Sequence, residues 1–465
     1  MSFIGLDLGT SFIKAAVLDL DSVTLGHVRR VPFPEPIRGL APTRVEFDPD
    51  AILSAVQEVL SGMSEHWGSC EGILMCTQMS CLIFIDNSGK VRSNCIGWRD
   101  QRAVEQHPSK HGTYHDVLLQ RIGDKEKREL GNELPAGAPI SFLFWFAEQN
   151  KLEKNLIPAS LSEFVISTLC GSRPMVESTT AMSYELLKLS AMQWHHDVIH
   201  ELGLGELQWP AIVPHGEIVG YMTLGNKPVP CYTAVGDYQC ALAGALLDET
   251  ELSLNISTGS QASRLTSKLS LGNYQTRPFF DGKFTNVLSH LPAGRSLNVL
   301  LQLITEFAEF QTSSSKDPWE YIVQSVDASP VSDLRVDLGF FPGPCGNQGG
   351  ITNIRESNLS VGSLFKAAFE NMAENYSTCA KRVWPDQSWS NLVFSGGVAR
   401  KLKLLRGMIE RKLQTSSRLC PLEEDSLLGL TALALFFSGR TKSVEAAMST
   451  LRLHFAQHRE ALYRS

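Results

Sequence analysis

The sequence predicts an α/β protein of two domains, and three observations carry that expectation. Short apolar runs rich in β-formers alternate with amphipathic helical stretches along the chain. The length of 465 residues exceeds what one ordinary core accommodates, so two domains of roughly 200 residues each are expected. The strand-turn-strand that opens the chain, GLDLGTSFIKAAVLD, is echoed after Asp248 by LSLNISTGSQASRLT, a faint internal repeat of the kind that produces two facing lobes. The expected domains are residues 1–247 and 248–465, with the last helix free to pack back on the first domain.

Residues 3–8 (FIGLDL) and 12–20 (FIKAAVLDL) read as a hairpin around Gly9, Thr10 and Ser11, followed by an extended run over 24–33. Asp48 then precedes Pro49 at a helix start, with Ile52, Val56, Val59, Leu60 and Met63 on one face. Strands fit residues 72–76 and 82–86, the second ending in a turn at Asn87, Ser88 and Gly89. Residues 103–230 mix helical stretches with turns and carry few signals. In the second half a helix covers 361–382, with Leu364, Phe365, Ala368 and Met372 on one face. A strand at 392–394 runs into Ser395, Gly396 and Gly397, and a strongly apolar helix covers 426–437.

Composition narrows the function classes. A hydrophobic share of 43% with 20% charged residues is the balance of a globular protein rather than a solvating tail. The net charge of -7 disfavours nucleic acid or an anionic membrane as partner, since either needs a concentrated basic face. The ten cysteines are scattered without a CxxC pair, which reads as reduced, mostly buried thiols. The first strand begins at Phe3 with no leader before it, and no apolar run approaches the ~20 residues that span a bilayer. A cytoplasmic protein is expected.

Candidate chemistry concentrates at glycine turns. Asp7, Gly9, Thr10 and Ser11 sit at the first hairpin turn, where glycine admits close backbone approach and N–H and hydroxyl groups can hold phosphate oxygens. Asp7 could anchor Mg²⁺ through water. Ser257, Thr258, Gly259, Ser260 and Gln261 offer the same donors from the second half. Either is also satisfied by an ordinary turn; two facing each other would clamp a polyphosphate. Asp237 precedes an apolar, alanine-rich helix and is at minimum an N-cap, yet a carboxylate there could also accept the proton of an attacking hydroxyl. Gly396 and Gly397 form a strand-to-helix turn on which an adenine or ribose could lie. Glu423, Glu424 and Asp425 precede the last apolar helix, where they could contact nucleotide or simply favour the helix dipole.

In this order DLGTS, WRDQR, GDYQCALAGA, NISTGSQ and SGGVAR resemble the FGGY carbohydrate kinases, over nearly the whole chain. The resemblance implies two ribonuclease H-like domains of the actin-type ATPase fold, an interdomain active-site cleft, and ATP and Mg²⁺. It makes Asp237 the catalytic base and a substrate contact, and Asp7 the magnesium-associated aspartate. Gly9, Thr10, Ser11 and Lys14, with residues 257–261, become the phosphate-binding set, and Gly396 and Gly397 the adenosine turn. Gln78, Met79, Trp98 and Asp100 fall where the family lines its sugar pocket.

Met79 and Ser80 stand where glycerol kinases carry an Arg-Glu pair, which disfavours glycerol. Gln78 and Met79 are similar to the QMH of xylulokinases and sedoheptulokinases, with Ser80 in place of the histidine. NISTGSQ, the LCG at 169–171 with Arg173 and Pro174, and TNIRESNLSVGSLFKAAFENMAENY look most like sedoheptulokinases. The GPCGNQG of residues 343–349 departs from the family's usual GER-type segment.

The expected reaction is in-line attack of a ketose hydroxyl on the γ-phosphoryl of MgATP, the sugar being sedoheptulose, with xylulokinase- or ribulokinase-type activity as alternatives. Positioning outweighs base strength in such a transfer, so Asp237 is expected to keep an ordinary low pKa. A nucleotide- and sugar-binding sensor of the same fold, and a homodimer, are also admitted by the sequence.

Overall fold

The structure is a computed structural model that describes residues 1–311 and 317–462, the side chains of residues 307–311 and 458–462 excepted. Three strands, β1 (Ser2–Leu8), β2 (Phe12–Asp19) and β3 (Thr24–Pro32), form an antiparallel meander. The Gly9 N–H donates to the Phe12 carbonyl at 3.1 Å and closes the first turn. Helix α1 (Pro49–Ser61) starts where Asp48 accepts from the Asp50 N–H at 3.0 Å. It lays Ile52, Val56, Val59 and Leu60 against Ile4, Leu6, Ile13 and Ile73 of the sheet. Strand β4 (Cys70–Thr77) then returns parallel to β1.

Between β4 and the next strand of this sheet lies a large insertion with its own core, in which Phe142, Phe144, Tyr184 and Trp194 pack on Leu82 and Phe84. It includes the short helix α2 (Asp124–Glu129). Strands β5 (Ile218–Leu224) and β6 (Lys227–Tyr232) complete a sheet of order β5-β6-β4-β1-β2-β3, and Val235–Gly236 pairs beside β4. Helix α3 (Asp237–Gly244) follows at once.

The second half repeats the plan. Strands β7 (Glu251–Ile256), β8 (Ser260–Thr266), β9 (Gln275–Pro278) and β10 (Phe284–Leu291) are antiparallel neighbours in the order β9-β10-β8-β7. Helices α4 (Gly294–Gln311) and α5 (Val361–Val383) lead to β11 (Asn391–Ser395), which lies parallel to β7, and β12 (Ser417–Leu419) extends the edge. The pairing chain β3-β2-β1-β4 thus recurs as β10-β8-β7-β11, and the internal repeat is structural. Two sheets of this topology facing each other form a two-domain actin-like ATPase fold.

Helix α6 (Asp425–Phe437) crosses back and packs on β1, β2 and β4, while α7 (Val444–Leu462), the last helix, leans on α6. The core between the sheets therefore joins Leu18 and Leu74, Leu265 and Val393, and the facing sides of α3 and α6. At two glycines these helices meet backbone to backbone. A Cβ built on Gly244 would lie 1.8 Å from the Asp425 carbonyl oxygen, and one on Gly429 would lie 1.9 Å from that of Cys240. Backbone cannot yield as a side-chain tip can, so glycine at both positions is a packing requirement. Gly429→Ala is accordingly expected to cost about 2–3 kcal/mol, the scale of core overpacking, read as a lower midpoint in chemical denaturation. An unchanged midpoint would show that the helices part easily.

Candidate active site at the helix crossing

The crossing brings three carboxylates to one place. Asp7 stands near the end of β1 and pairs across the hairpin with Lys14 on β2. Asp237 is the first residue of α3 and Asp425 the first of α6, so the positive ends of two helix dipoles point at the same volume. Each of these aspartates accepts the next residue's N–H: Asp237 Oδ1 from Tyr238 at 2.7 Å, Asp425 Oδ1 from Ser426 at 2.9 Å. The Ser426 hydroxyl then donates to Asp7 Oδ2 at 2.7 Å and ties β1 to α6. All three line a cavity of about 300 Å³. Its far wall is the β7-β8 pair, where Ser253 faces Ser263 and Asn255 faces Gln261 in register.

Crowding these groups shifts their protonation. Burial, reinforced by the charge of Asp7, pushes Asp237 up to about 7, against the Tyr238 N–H and the Arg277 guanidinium. Burial and Asp7 likewise push Asp425 up to about 6. Asp7 is itself raised by burial, although the Ser426 hydroxyl and Lys14 oppose the shift. The low pKa expected for Asp237 is thus corrected, because burial removes the water that would stabilise its charge and Asp7 stands beside it. Its expected N-cap role is corrected too. Gly236 occupies that position, and Asp237 begins the helix proper.

Of the residues singled out in the sequence, Asp7, Gly9, Lys14, Asp237 and Gln261 line this cavity together. The Lys14 ammonium is held by Glu424 at 2.5 Å; burial alone would lower its pKa, but the Glu424 contact and the nearby Asp7 and Asp425 raise it. Thr10, Ser11, Thr258 and Gly259 are exposed around the opening, with Ser257 half-buried behind them. A Cβ on Gly259 or Gly397 would meet nothing within 4 Å, whereas Gly396, at φ +88, is pressed onto Ile256 and must be glycine. Ser260 does not offer its hydroxyl to a ligand. It is buried, donates to the Asn255 carbonyl at 2.5 Å and accepts from Tyr376 at 2.6 Å.

The four expected sugar contacts stand apart from this cavity. The Gln78 side chain is buried and accepts from the Thr10 hydroxyl at 3.2 Å, linking the first turn to the segment after β4. Met79 is half-buried and Trp98 is 43% exposed. Asp100 is fully buried, and both its oxygens are taken by Arg102, at 2.8 and 2.9 Å, and by the Arg102 and Val45 N–H groups. Its role here is to shape the loop, not to present a free carboxylate.

Several contributors carried little or no sequence signal. Asp425 was legible as one of three acids offered either to nucleotide or to the helix dipole, and Ser426 not at all. Tyr238 lines the cavity, hydrogen-bonds Ser263 at 2.7 Å, and carries the Arg277 guanidinium 4.6 Å above its ring. Arg277, on β9 of the second half, makes a bidentate pair with Glu133 of the first, at 2.8 and 2.6 Å. The strand alternation of Ser253, Asn255, Gln261 and Ser263 did lie in the sequence, since polar residues at every second position mark one wetted face.

The raised pKa values have a stability consequence. A carboxyl whose folded pKa exceeds its unfolded value favours the folded state while protonated, and that advantage is lost as pH rises through the folded pKa. Without ligand, the contribution of Asp237 to thermal stability should therefore be lost from about pH 4 to about pH 7, the range bounded by its unfolded and folded values. Asp237→Asn should raise the melting temperature at pH 8 by roughly 2 °C or more, and leave it nearly unchanged at pH 4. Equal shifts at both pH values would count against a charge-borne cost.

Comparison with known proteins agrees with this geometry. Residues 2–244 match the N-terminal domain of the FGGY family of carbohydrate kinases. The chain is 22% identical to mouse sedoheptulokinase over 446 residues, which is 88% of this chain and 92% of that protein. Among solved structures it is similar to ligand-bound xylulose kinase from Lactobacillus acidophilus, with a TM-score of 0.82 at 16% identity over 99% of this chain and 97% of that one. It is also similar to Plasmodium falciparum glycerol kinase with ADP, with a TM-score of 0.80 at 15% identity over 97% and 92%. With its two facing sheets, its helix crossing and a family match over more than half its length, the chain belongs to the FGGY family of carbohydrate kinases.

Proposed function

We propose that this carbohydrate kinase phosphorylates a hydroxyl of a small ketose, sedoheptulose first among candidates, acting in the cytoplasm with Asp237 as the base. The observation that supports this most is that Asp237 shares one cavity with Asp7 and with polar strand faces from the other half of the chain. A base there stands between a sugar from the first half and phosphates from both. Its pKa near 7 is well matched to general-base work at neutral pH, since the carboxylate is both populated and basic enough to take a proton.

In this reading the ketose hydroxyl attacks the γ-phosphorus in line, the bond to the ADP oxygen breaks, and the hydroxyl proton passes to Asp237. The exposed turn residues Thr10, Thr258 and Gly259 hold phosphate oxygens, and Gly397 leaves open space for the nucleoside. Lys14 would exchange Glu424 for phosphate. Asp7 and Asp425 fit a magnesium ion. Among the described residues no three side chains are gathered to hold a metal unaided, which suits an ion that keeps several waters and takes its remaining ligands from phosphate. Bound there, it would neutralise charge on the phosphates and draw Asp7 and Asp237 back to their charged forms.

The ketose assignment is supported by Met79 and Ser80 and by likeness to a sedoheptulokinase over most of both chains. Ser80 sits in a left-handed turn at φ +62, and its hydroxyl lies 3.4 Å from Glu185, a buried carboxyl whose second oxygen has no partner. A polyhydroxylated substrate supplies the donors such an oxygen lacks.

The test is ADP formation with sedoheptulose, xylulose, ribulose and glycerol. Sedoheptulose should give the highest kcat/KM, and Asp237→Ala should lower kcat on it by about 10²-fold or more while ATP binding survives. Turnover unchanged in that variant rejects the base; ATP binding without sugar-stimulated ADP release would make the protein a sensor. Gly259→Trp addresses the phosphate loop separately. Because a Cβ there meets no protein atom, the variant should fold normally and bind ATP about tenfold or more weakly. Unaltered affinity would remove this turn from the nucleotide site.

A further inference from the structure

A second, larger cavity of about 870 Å³ opens between the two halves and shares no lining residue with the carboxylate cavity. One wall is α2, which contributes Lys127 and Arg128. The opposite wall comes from the turn before β9, the end of β10, and Pro342 with Gly343 and Pro344 at the start of the unusual GPCGNQG segment, with Arg382 of α5 behind them. Among the described residues none of these three cations has a carboxylate within ion-pair distance. The nearby Arg277, by contrast, is paired with Glu133. Arg382 reaches only two carbonyls, those of Asn273 at 3.2 Å and Pro344 at 3.4 Å, and its buried Nε has no hydrogen-bond partner at all.

In a chain of net charge -7, three cations without carboxylate partners around one concavity mark a place prepared for an anion. Guanidinium groups match the oxygens of a phosphomonoester. The volume exceeds what inorganic phosphate fills and lies in the range of small-molecule sites, and Asp124 at the rim could accept a hydroxyl. We infer that this interdomain cavity is an accessory site for a phosphorylated small polyol, a sugar phosphate of the same chemical class as the product of a sugar kinase. Its walls belong to opposite halves, so an occupant links them. It also reaches the reaction centre along β9, where Gln275 lines this cavity and Arg277, two residues on and so on the same strand face, covers Tyr238.

The test is calorimetric titration of the full chain with glucose 6-phosphate, and separately with inorganic phosphate, in the presence of magnesium and a saturating non-hydrolysable ATP analogue that occupies the phosphate loops. The expected result is one saturable site, weakened by rising salt, whose affinity falls about tenfold or more in Lys127→Ala/Arg128→Ala. Arg128 is exposed and Lys127 half-buried, so that variant should keep its melting temperature and its kinase activity without effector. Binding of both probes identifies the anionic group as sufficient, and binding of the ester alone identifies the sugar phosphate; either supports the site. No saturable binding at about 10 mM of either probe, or binding that the double variant leaves intact, overturns it. Failure here would not touch the kinase assignment, which is read from turnover with no phosphate ester added.

Discussion

The contact of α3 with α6, backbone against backbone at Gly244 and Gly429, is the constraint from which the rest of the site follows. Two helices that approach this closely have little freedom in angle or register. Their first residues, Asp237 and Asp425, are thereby delivered to fixed positions on either side of Asp7. The same crossing joins the sheets, since α6 begins in the second half and lies on the first. Moving one helix relative to the other would change the spacing of the carboxylates and the relation of the halves together. That makes the crossing a natural pivot for a two-lobed kinase, which must close on its substrates and open again.

Three partly buried carboxylates within one cavity are unfavourable by themselves, and the chain offsets only part of that. The N–H groups of Tyr238 and Ser426, the Ser426 hydroxyl, Lys14 and the helix dipoles stabilise negative charge, yet Asp237 and Asp425 remain pushed up. A fold selected for stability alone would place apolar or amide side chains here. Retaining the charges is intelligible if a divalent ion and a transferring phosphoryl group complete the balance, because the repulsion that costs stability in the empty protein becomes attraction for the ligand. The Lys14 to Glu424 contact belongs to the same arrangement, since it holds the ammonium beside the cavity, where it already eases the charge on Asp7.

What was legible in the sequence was local. The turns at Gly9 and Gly259, the helix start at Asp48, the strand opening after Asp248 and the position of Asp237 beside an apolar helix depend on neighbours a few residues away. What was not legible depended on distance. Asp425 looked like one acid among Glu423 and Glu424, and only the crossing with α3 singles it out. Ser260 looked equivalent to Thr258, but strand alternation turns its hydroxyl inward to Tyr376, 116 residues away. Asp100 looked like a ligand for sugar until Arg102 was seen folded back on it. Within residues 103–230 the elements are helices of three to ten residues and strands of two to seven, many too short for a period to register.

The pair of Arg277 with Glu133 connects these themes. It is the bidentate link between the halves beside the site, and it is mostly removed from water, with side chains 8% and 15% exposed. A buried pair of this kind adds little net stability over apolar packing, but losing one partner strands the other. Its value here is positional. The guanidinium lies on the Tyr238 ring, next to Asp237, and opposes the upward shift of that carboxyl. Parting the halves would take Arg277 from Glu133 and remove one charge that opposes the Asp237 shift, while relieving the burial that is the larger cause of it. In the closed arrangement seen here the pair thus offsets part of what burial costs the Asp237 carboxylate.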